Sequence, residues 1–466
     1  MPMHEQLQAL KAQPRHVAVI CGGAVSGSEA AALCAERDLT AIVIEQNARA
    51  YGKIEDGLPR WHDKLRAKEY QLIDANLKRP NVYFVPETKV GRDLTLEDLT
   101  ARWGASVVLL ANGAWRDRPL PVEGADAYRD QPGAAGHAGL VYQNPFVYWF
   151  NHYEEPGYDG PRYEVHDDAA VVGGGLASVD VVKIINLELF RSALRKRGID
   201  VSVVDMEHKG ISATLAQHKI DPAELGVKGC TLYYRRRVKD MPLAFPKAGA
   251  SAEQIAKTEA VREKMVKILE DKFRVNMRDC SVPVAPLVED GRMVGLRFRR
   301  TEQRDGKSVE IADSDFEVRS PLIVSSIGSV PEPMPAVPTK GELYDFASWE
   351  SGALRGLHGV FGLGNVLTGK GNIRDSRENA EEISTQVIRD YLGLGEEPRP
   401  DSDAPLLAAH ARAAAEADNA LRSAIRRAHV PVDRLALMAQ DIERCWQRSG
   451  YDGDYTRWME RHKPMF

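Results

Sequence analysis

Residues His16–Glu45 read HVAVICGGAVSGSEAAALCAERDLTAIVIE, and the reading of this stretch decides the fold. Val17–Cys21 is apolar without alternation, as in a strand buried on both faces of a parallel sheet. Glycines follow at Gly22, Gly23 and Gly27. An Ala-rich segment of helical character comes next, then a second apolar run, Thr40–Ile44, ending on the acid Glu45. This is the dinucleotide-binding βαβ pattern. Its glycines permit a tight turn, the helix N-terminus faces a pyrophosphate, and the acid takes the ribose hydroxyls. The second fingerprint glycine is replaced by Ala24. Glycines also gather wherever a strand and a helix pack closely, so the turn alone is weak. The complete unit, with Glu45 at about the expected ~20 residues, carries more.

The device recurs. Asp168–Val172 is a strand, Gly173–Gly175 a glycine turn, and Leu176 opens a helix running to about Leu194, with the small Ser178 at the third fingerprint site. Ile199–Val204 is predicted as a strand and Met206–Val227 as an insertion. Cys230–Tyr234 is a further strand, ending in Arg235-Arg236-Arg237. Consecutive arginines are usually solvated surface. At a strand end in a second βαβ unit, however, arginine accommodates the 2′-phosphate of NADP where NAD sites carry an acid. Arg235 and Arg236 are therefore predicted to recognise NADP.

The chain has 466 residues, enough for two or three domains, and a net charge of −5 with both signs interspersed. That balance gives no support for a nucleic-acid partner. Five cysteines lie far apart with no C-x-x-C, so a redox disulfide motif, a zinc knuckle and a chain-borne iron–sulfur centre lack ligands. No metal site is expected. The first sixteen residues hold no apolar signal core, and no apolar stretch is long enough to span a bilayer. The expectation is a cytoplasmic protein with no membrane partner.

Between the two units, Tyr51–His62 (YGKIEDGLPRWH) is a polar, glycine-punctuated loop of the kind that wraps a ligand. Asp63–Leu77 reads as a helix and Val82–Phe84 as a strand. Thr95–Asp98 reads as a capping box, and Val107–Leu110 as a buried strand. Gly139–His152 is aromatic and apolar, and reads as core, an interdomain crossing or a cofactor-facing wall, with the core preferred. After the arginines come a helix at Glu253–Lys272, a β region at Met293–Arg299 and Phe316–Val318, and buried strands at Leu322–Ser325 and Val360–Leu363. A glycine-dense loop then runs into a helix to about Leu392. Pro398–Pro405 is a Pro/Asp-rich linker before an Ala/Arg/Leu helical tail.

From His16 to about Gly393 the chain resembles adrenodoxin reductase and its bacterial ferredoxin–NADP reductase relatives. Some segments are also similar to the small subunit of glutamate synthase. The resemblance rests on CGGAVSG, YGKIEDGLPRWH, VGRDLT, LLANGAW, VVGGGLASVDV, YYRRR followed by MPLAF, VSSIG and GLGNVLTGKGNI, each in the family's order. It implies an α/β protein with two Rossmann-like nucleotide-binding domains, the NADP domain inserted in the FAD domain, plus a helical C-terminal extension. The expected boundaries are 1–155 and 321–397 for FAD, 156–320 for NADP and 398–466 for the extension.

By position, the resemblance implies that Gly22, Ala24, Ser26 and Gly27 line the FAD pyrophosphate, and that Glu45 takes the adenosine ribose. Val90 contacts the adenine through its backbone. Gly52, Lys53 and Ile54 lie beside the flavin, Asn112 and Gly113 after the last strand of the first lobe are cofactor-binding, and Gly364, Asn365, Gly371, Asn372 and Ile373 close over the flavin's ribityl and pyrimidine side. NADP(H) falls to Gly173, Gly175, Leu176, Ala177, Arg235 and Arg236. His62 and Asp180 match positions near nicotinamide and flavin, with an electrostatic or proton-relay role.

The chain departs from the family at Ala24, at Asn112 (for Thr), at Asn365 (for Asp) and at Lys53-Ile54-Glu55 (for Leu-Val-Arg). The resemblance implies electron transfer from NADPH through FAD to a ferredoxin-type iron–sulfur protein or another redox partner. Two alternatives stand beside it: a flavin subunit or reductase acting on an organic substrate in a larger complex, and a low-turnover nucleotide-binding scaffold. The tail is expected to be a dimer arm, a lid or a docking site.

Overall fold

Five apolar runs become one parallel sheet, in the order Val360–Gly362, Val107–Leu110, Val17–Cys21, Thr40–Ile44, Val82–Val85. The structure is a computed structural model that describes residues 3–130, 139–247, 249–369, 371–394 and 429–463. The four strands from Val17 to Leu110 carry almost no exposed surface, because helices cover both faces of the sheet. Val17–Cys21 sits where the strand order reverses. Chain leaving its C-terminal end therefore enters the crevice at which open parallel sheets bind ligands.

A second parallel sheet has the order Gly139–Tyr142, Leu322–Ser326, Ala170–Gly173, Thr231–Tyr233, Asn276–Arg278. Ala170–Gly173 again lies at the reversal. Strands Ser281–Glu289, Arg292–Arg304, Lys307–Glu310 and Phe316–Arg319 form a separate antiparallel sheet, as the sequence suggested for this region.

Two compact units follow. One comprises the chain up to Ile54, Lys64–Arg116 and the described residues from Val330 onward; the other comprises Glu55–Asp63 and Asp117–Ser329. The insertion of one α/β unit in the other is as expected, but its limits differ from 156–320. Leu322–Ser326 pairs with both Gly139–Tyr142 and Ala170–Gly173, so boundaries at 155 and 320 would cut two strands from the second sheet. Apolar runs reveal strands; they do not reveal which sheet a strand joins.

Ile199–Val204 is not a strand. Ser202 accepts a hydrogen bond from the Asp205 amide and caps the helix Val203–Lys209. The aromatic stretch expected in the core is there, with Phe146 and Phe150 fully buried.

The linker 398–405 and the tail to residue 428 lie outside the described residues. The described remainder is no appendage. Helices Val432–Ser449 and Tyr455–Arg461 bury Trp446 and Trp458 in the core of the first unit. No described helix is long and apolar enough to cross a membrane.

Candidate functional site

In the first unit, helix Val25–Glu36 starts at Ala24 without any side-chain cap. The helix can come this close to the strand because Gly27 lacks a side chain: a Cβ there would stand 1.8 Å from the Gly22 carbonyl oxygen. An uncapped helix start beside a glycine turn leaves backbone donors and the positive end of the helix dipole available to an anion. Glu45 is buried, and its two carboxylate oxygens accept from the Gly23 amide (2.8 Å) and the Asn47 amide (2.9 Å). Besides supplying an acid, Glu45 therefore shapes the glycine turn itself. The Ala24 methyl, where the fingerprint expects glycine, faces Gly52: a Cβ on Gly52 would lie 2.9 Å from it.

Around the same crevice, Lys53 Nζ lies 5.7 Å from the centre of the Trp115 ring. Ile54 is buried. Asn112 donates to the Tyr344 hydroxyl (3.1 Å), while its buried Oδ1 has no hydrogen-bond partner among the described residues. Gly113 follows it in the same turn. On the far side, Gly364 packs against Ser26. Asn365 Oδ1 accepts from the Gly371 amide at 2.9 Å, and Asn372 caps the helix beginning at Ile373 by accepting from the Asp375 amide at 2.7 Å. Val90 is buried in a loop closed by the Gly91 amide donating to the Leu94 carbonyl. Every residue nominated for this pocket thus belongs to the first unit.

The second unit repeats the arrangement. Helix Leu176–Arg195 also starts uncapped, at Gly175, and its second residue is Ala177. Gly173 packs so closely that a Cβ would meet the Ser326 carbonyl oxygen at 2.3 Å. Ser178, fully buried, donates to the Gly175 carbonyl and fills the third fingerprint site.

Of the three arginines, Arg237 is held in a two-point pair with Asp240. Arg236 Nε donates to the Tyr234 hydroxyl, and Arg235 is exposed. The backbone of Arg235 is fixed instead: its carbonyl accepts from Thr301 Oγ1 (2.7 Å) and Ser308 Oγ (2.8 Å) of the antiparallel sheet. This sheet therefore supports the arginine loop, a role that sequence patterning does not disclose.

His62 and Asp180 are brought together. His62 Nε2 stands 3.7 Å from Asp180 Oδ1, with the histidine about a third exposed and the aspartate largely covered. That spacing suits an ion pair when the imidazole is protonated and is too long for a direct hydrogen bond.

A set of residues that sequence reasoning missed holds the segment carrying His62. Buried Asn151 donates to the carbonyls of Glu55 (2.8 Å) and Leu58 (3.1 Å) and accepts from the Arg60 amide (3.0 Å). His152 bridges Asp56 (3.1 Å) and Glu155 (2.9 Å). Burial pulls the His152 pKa down, but the bonds and charges of Asp56 and Glu155 outweigh it and leave the imidazole above its ordinary value. Arg60 pairs with Glu154, which also pairs with Arg191. Trp61 packs on Phe150 and under Lys183 Nζ, and its indole N–H is buried without a hydrogen-bond partner. Nothing in local patterning marks Asn151 as a clamp, because its three partners lie more than ninety positions away.

Among the described residues no cluster of three or more His, Cys, Asp or Glu could hold a metal ion. Cys21 ends the strand at the first glycine turn, and burial pushes its thiol up to about 12, which keeps it protonated and inert.

No family model matches the chain. It is 24% identical over 174 residues to the mitochondrial NADPH:adrenodoxin oxidoreductase of Arabidopsis thaliana, covering 37% of this chain and 33% of that protein. It is 24% identical over 331 residues to the glutamate synthase [NADPH] small chain of Mycobacterium tuberculosis, covering 68% and 56% respectively. The chain thus spans about a third and about half the length of these curated relatives. Among solved structures it superimposes on Mycobacterium tuberculosis FprA in complex with NADPH with a TM-score of 0.61, at 18% identity, over 92% of this chain and 100% of that one. The fold is that of FprA, and the resemblance to adrenodoxin reductase and the glutamate synthase small subunit holds in sequence.

Proposed function

We propose that the protein is an NADPH-dependent flavoprotein oxidoreductase, with FAD on the first unit and NADP(H) on the second. One observation carries the reading. Two glycine-turn units stand at the reversal points of two parallel sheets, and the chain just past the next strand carries Glu45 in one and, after Tyr234, Arg235 and Arg236 in the other. Glu45 suits an unphosphorylated ribose; Arg235 and Arg236 suit a 2′-phosphate. The residues present fit such groups: both helices begin without a side-chain cap, and the buried Asn112 Oδ1 has an unused acceptor beside the first glycine turn.

In this reading the open helix starts at Ala24 and Gly175 carry the two diphosphates, and Arg235 and Arg236 grip the extra phosphate. NADPH supplies a hydride, and a flavin can accept two electrons and release them singly. The Asp180 carboxylate, 3.7 Å from His62 Nε2, orients the imidazole beside the redox site. Asn151, His152 and Arg60 keep its segment from drifting. Electrons leave to a ferredoxin-type iron–sulfur protein, in keeping with the similarity to an adrenodoxin oxidoreductase. A second reading, a flavin subunit of a larger complex, is favoured by the longer similarity to a glutamate synthase small chain.

The test is anaerobic titration of the purified protein with NADPH. A yellow protein that bleaches supports the flavoprotein reading, and one that neither contains nor takes up FAD overturns it. Adding ferredoxins, quinones and disulfides to the reduced protein then identifies the acceptor class. Transfer to ferredoxin alone supports the first acceptor assignment.

A further inference from the structure

We infer that the C-terminal helices are a bracket that positions the adenosine end of the first unit's nucleotide site. The inference rests on the FAD reading above. In an open parallel sheet the ligand lies over the C-terminal strand ends. Two loops leave those ends beside the glycine turn: residues 46–50 after Thr40–Ile44, and residues 86–93 after Val82–Val85. The loops are tied to each other, because the Thr88 amide donates to the Glu45 carbonyl (2.8 Å) and the Glu87 amide to the Asn47 carbonyl (3.2 Å).

The tail grips both loops. Trp458 Nε1 donates to the Ala48 carbonyl (2.6 Å), and Arg49 Nη1 donates to the His462 carbonyl (2.7 Å). Arg448 reaches Asp93 Oδ1 (3.0 Å), Thr88 Oγ1 (3.1 Å) and the Glu87 carbonyl (3.3 Å). Trp446 Nε1 donates to the Phe84 carbonyl (2.8 Å) at the base of the second loop. A continuous path results. Arg448 holds Thr88, the Thr88 amide holds the Glu45 backbone, and the Glu45 carboxylate holds the Gly23 amide at the glycine turn.

Loop backbone conformation is costly to fix, so anchors outside the pocket reduce what the ligand must spend on ordering it. The tail's large aromatic faces are already consumed in this packing, with Trp446 0% and Trp458 1% exposed. Those faces are therefore not available for the dimer arm, lid or docking role the sequence suggested. Trp458, Arg448 and Trp446 bond to Ala48, Thr88 and Phe84, which are not among the residues assigned to the nucleotide; they are positioning residues.

The experiment uses the full chain stripped of flavin and reconstituted. Trp458→Phe keeps an aromatic side chain but removes the donor to Ala48 together with part of the buried ring; Arg448→Met keeps most of the side-chain length and removes the three contacts to the second loop. Dissociation constants for FAD, ADP and riboflavin are measured by fluorescence or calorimetry, with NADP+ as a control on the second unit. The double variant is expected to weaken FAD and ADP together by tenfold or more, leaving riboflavin and NADP+ within about twofold. Equal FAD affinity in variant and wild type overturns the bracket, as does a uniform loss for all four ligands. A wild-type chain that binds no FAD overturns the functional reading instead.

Discussion

Asp180 Oδ1 stands 3.7 Å from His62 Nε2, although 118 positions separate the two residues in the chain. The aspartate is set by the first turns of helix Leu176–Arg195. The histidine is set by a segment anchored through Asn151, His152 and Arg60. A carboxylate this close to an imidazole, partly shielded from water, can orient it, and disturbing either member should show in the rate of reduction rather than in nucleotide binding.

Asp180→Asn and His62→Gln are each expected to slow NADPH-dependent flavin reduction by about tenfold to a hundredfold. The NADPH dissociation constant should change little. On the proposal that the two act as a unit, the double variant should be no slower than the worse single variant by more than about threefold. Stopped-flow absorbance under anaerobic conditions measures this. Fully additive losses would separate the pair.

Replacing Arg235 and Arg236 by Ala should raise KM for NADPH by a hundredfold or more, since charge-assisted contacts contribute roughly 1.5–3 kcal/mol each. KM for NADH should hardly move. Steady-state assays with both nucleotides decide it, and equal responses would return these arginines to the solvated surface.

His152 makes a pH-dependent contribution. Its folded pKa lies above the ordinary value, so its stabilisation is fully present below the unfolded pKa and is lost as pH rises through the folded one. Urea midpoints of wild type and His152→Gln should therefore differ most near pH 6 and converge at higher pH. The low-pH gap should be on the order of 1 kcal/mol.

His16 should behave with the opposite sign. Burial, and then the neighbouring His429 ring 4.5 Å away, hold its pKa below the ordinary value. Neutral His16 is favoured by the fold, so stability should fall as pH drops below about 6.5, where the unfolded imidazole gains a proton. His16→Asn should flatten that part of the pH profile in thermal melts.

Asp441 is 2% exposed and accepts from Trp103 Nε1 (2.8 Å) and Arg102 Nη2 (2.9 Å). Asp441→Ala leaves the fully buried Trp103 indole N–H without its acceptor and takes one carboxylate from Arg444 and from Arg102, which keeps Asp98. Chemical denaturation should report a loss of about 2–4 kcal/mol. Asp441→Asn, which keeps an acceptor for the indole, should recover part of it.

The two βαβ units were legible from sequence because their determinants are local. Continuous apolar runs, glycines at a turn and an acid or arginines at a strand end all lie within a few tens of residues. The same locality made the helices Asp63–Leu77 and Ala252–Phe273 readable from their patterning. His62 and Asp180 were nominated through a resemblance, because nothing in their own neighbourhoods distinguishes them from a loop histidine and a first-turn aspartate.

What only the tertiary structure decided is everything that depends on contacts between distant positions. Leu322–Ser326 looks like any buried strand, and Gly139–Tyr142 is not distinguished from the aromatic run it opens, until pairing assigns both to the second sheet. The Asn151 clamp, the Thr301 and Ser308 props beneath Arg235, and the tail's hold on Ala48 and Thr88 carry no period and no motif. They exist because folding brings hydrogen-bonding groups together across long stretches of chain, and sequence patterning records which residues are buried but not against what. The opening stretch itself shows both sides. Its order of strand, turn, helix and strand is written in His16–Glu45, whereas the fixing of Glu45 is completed by Thr88 and by Arg448 near the other end of the chain.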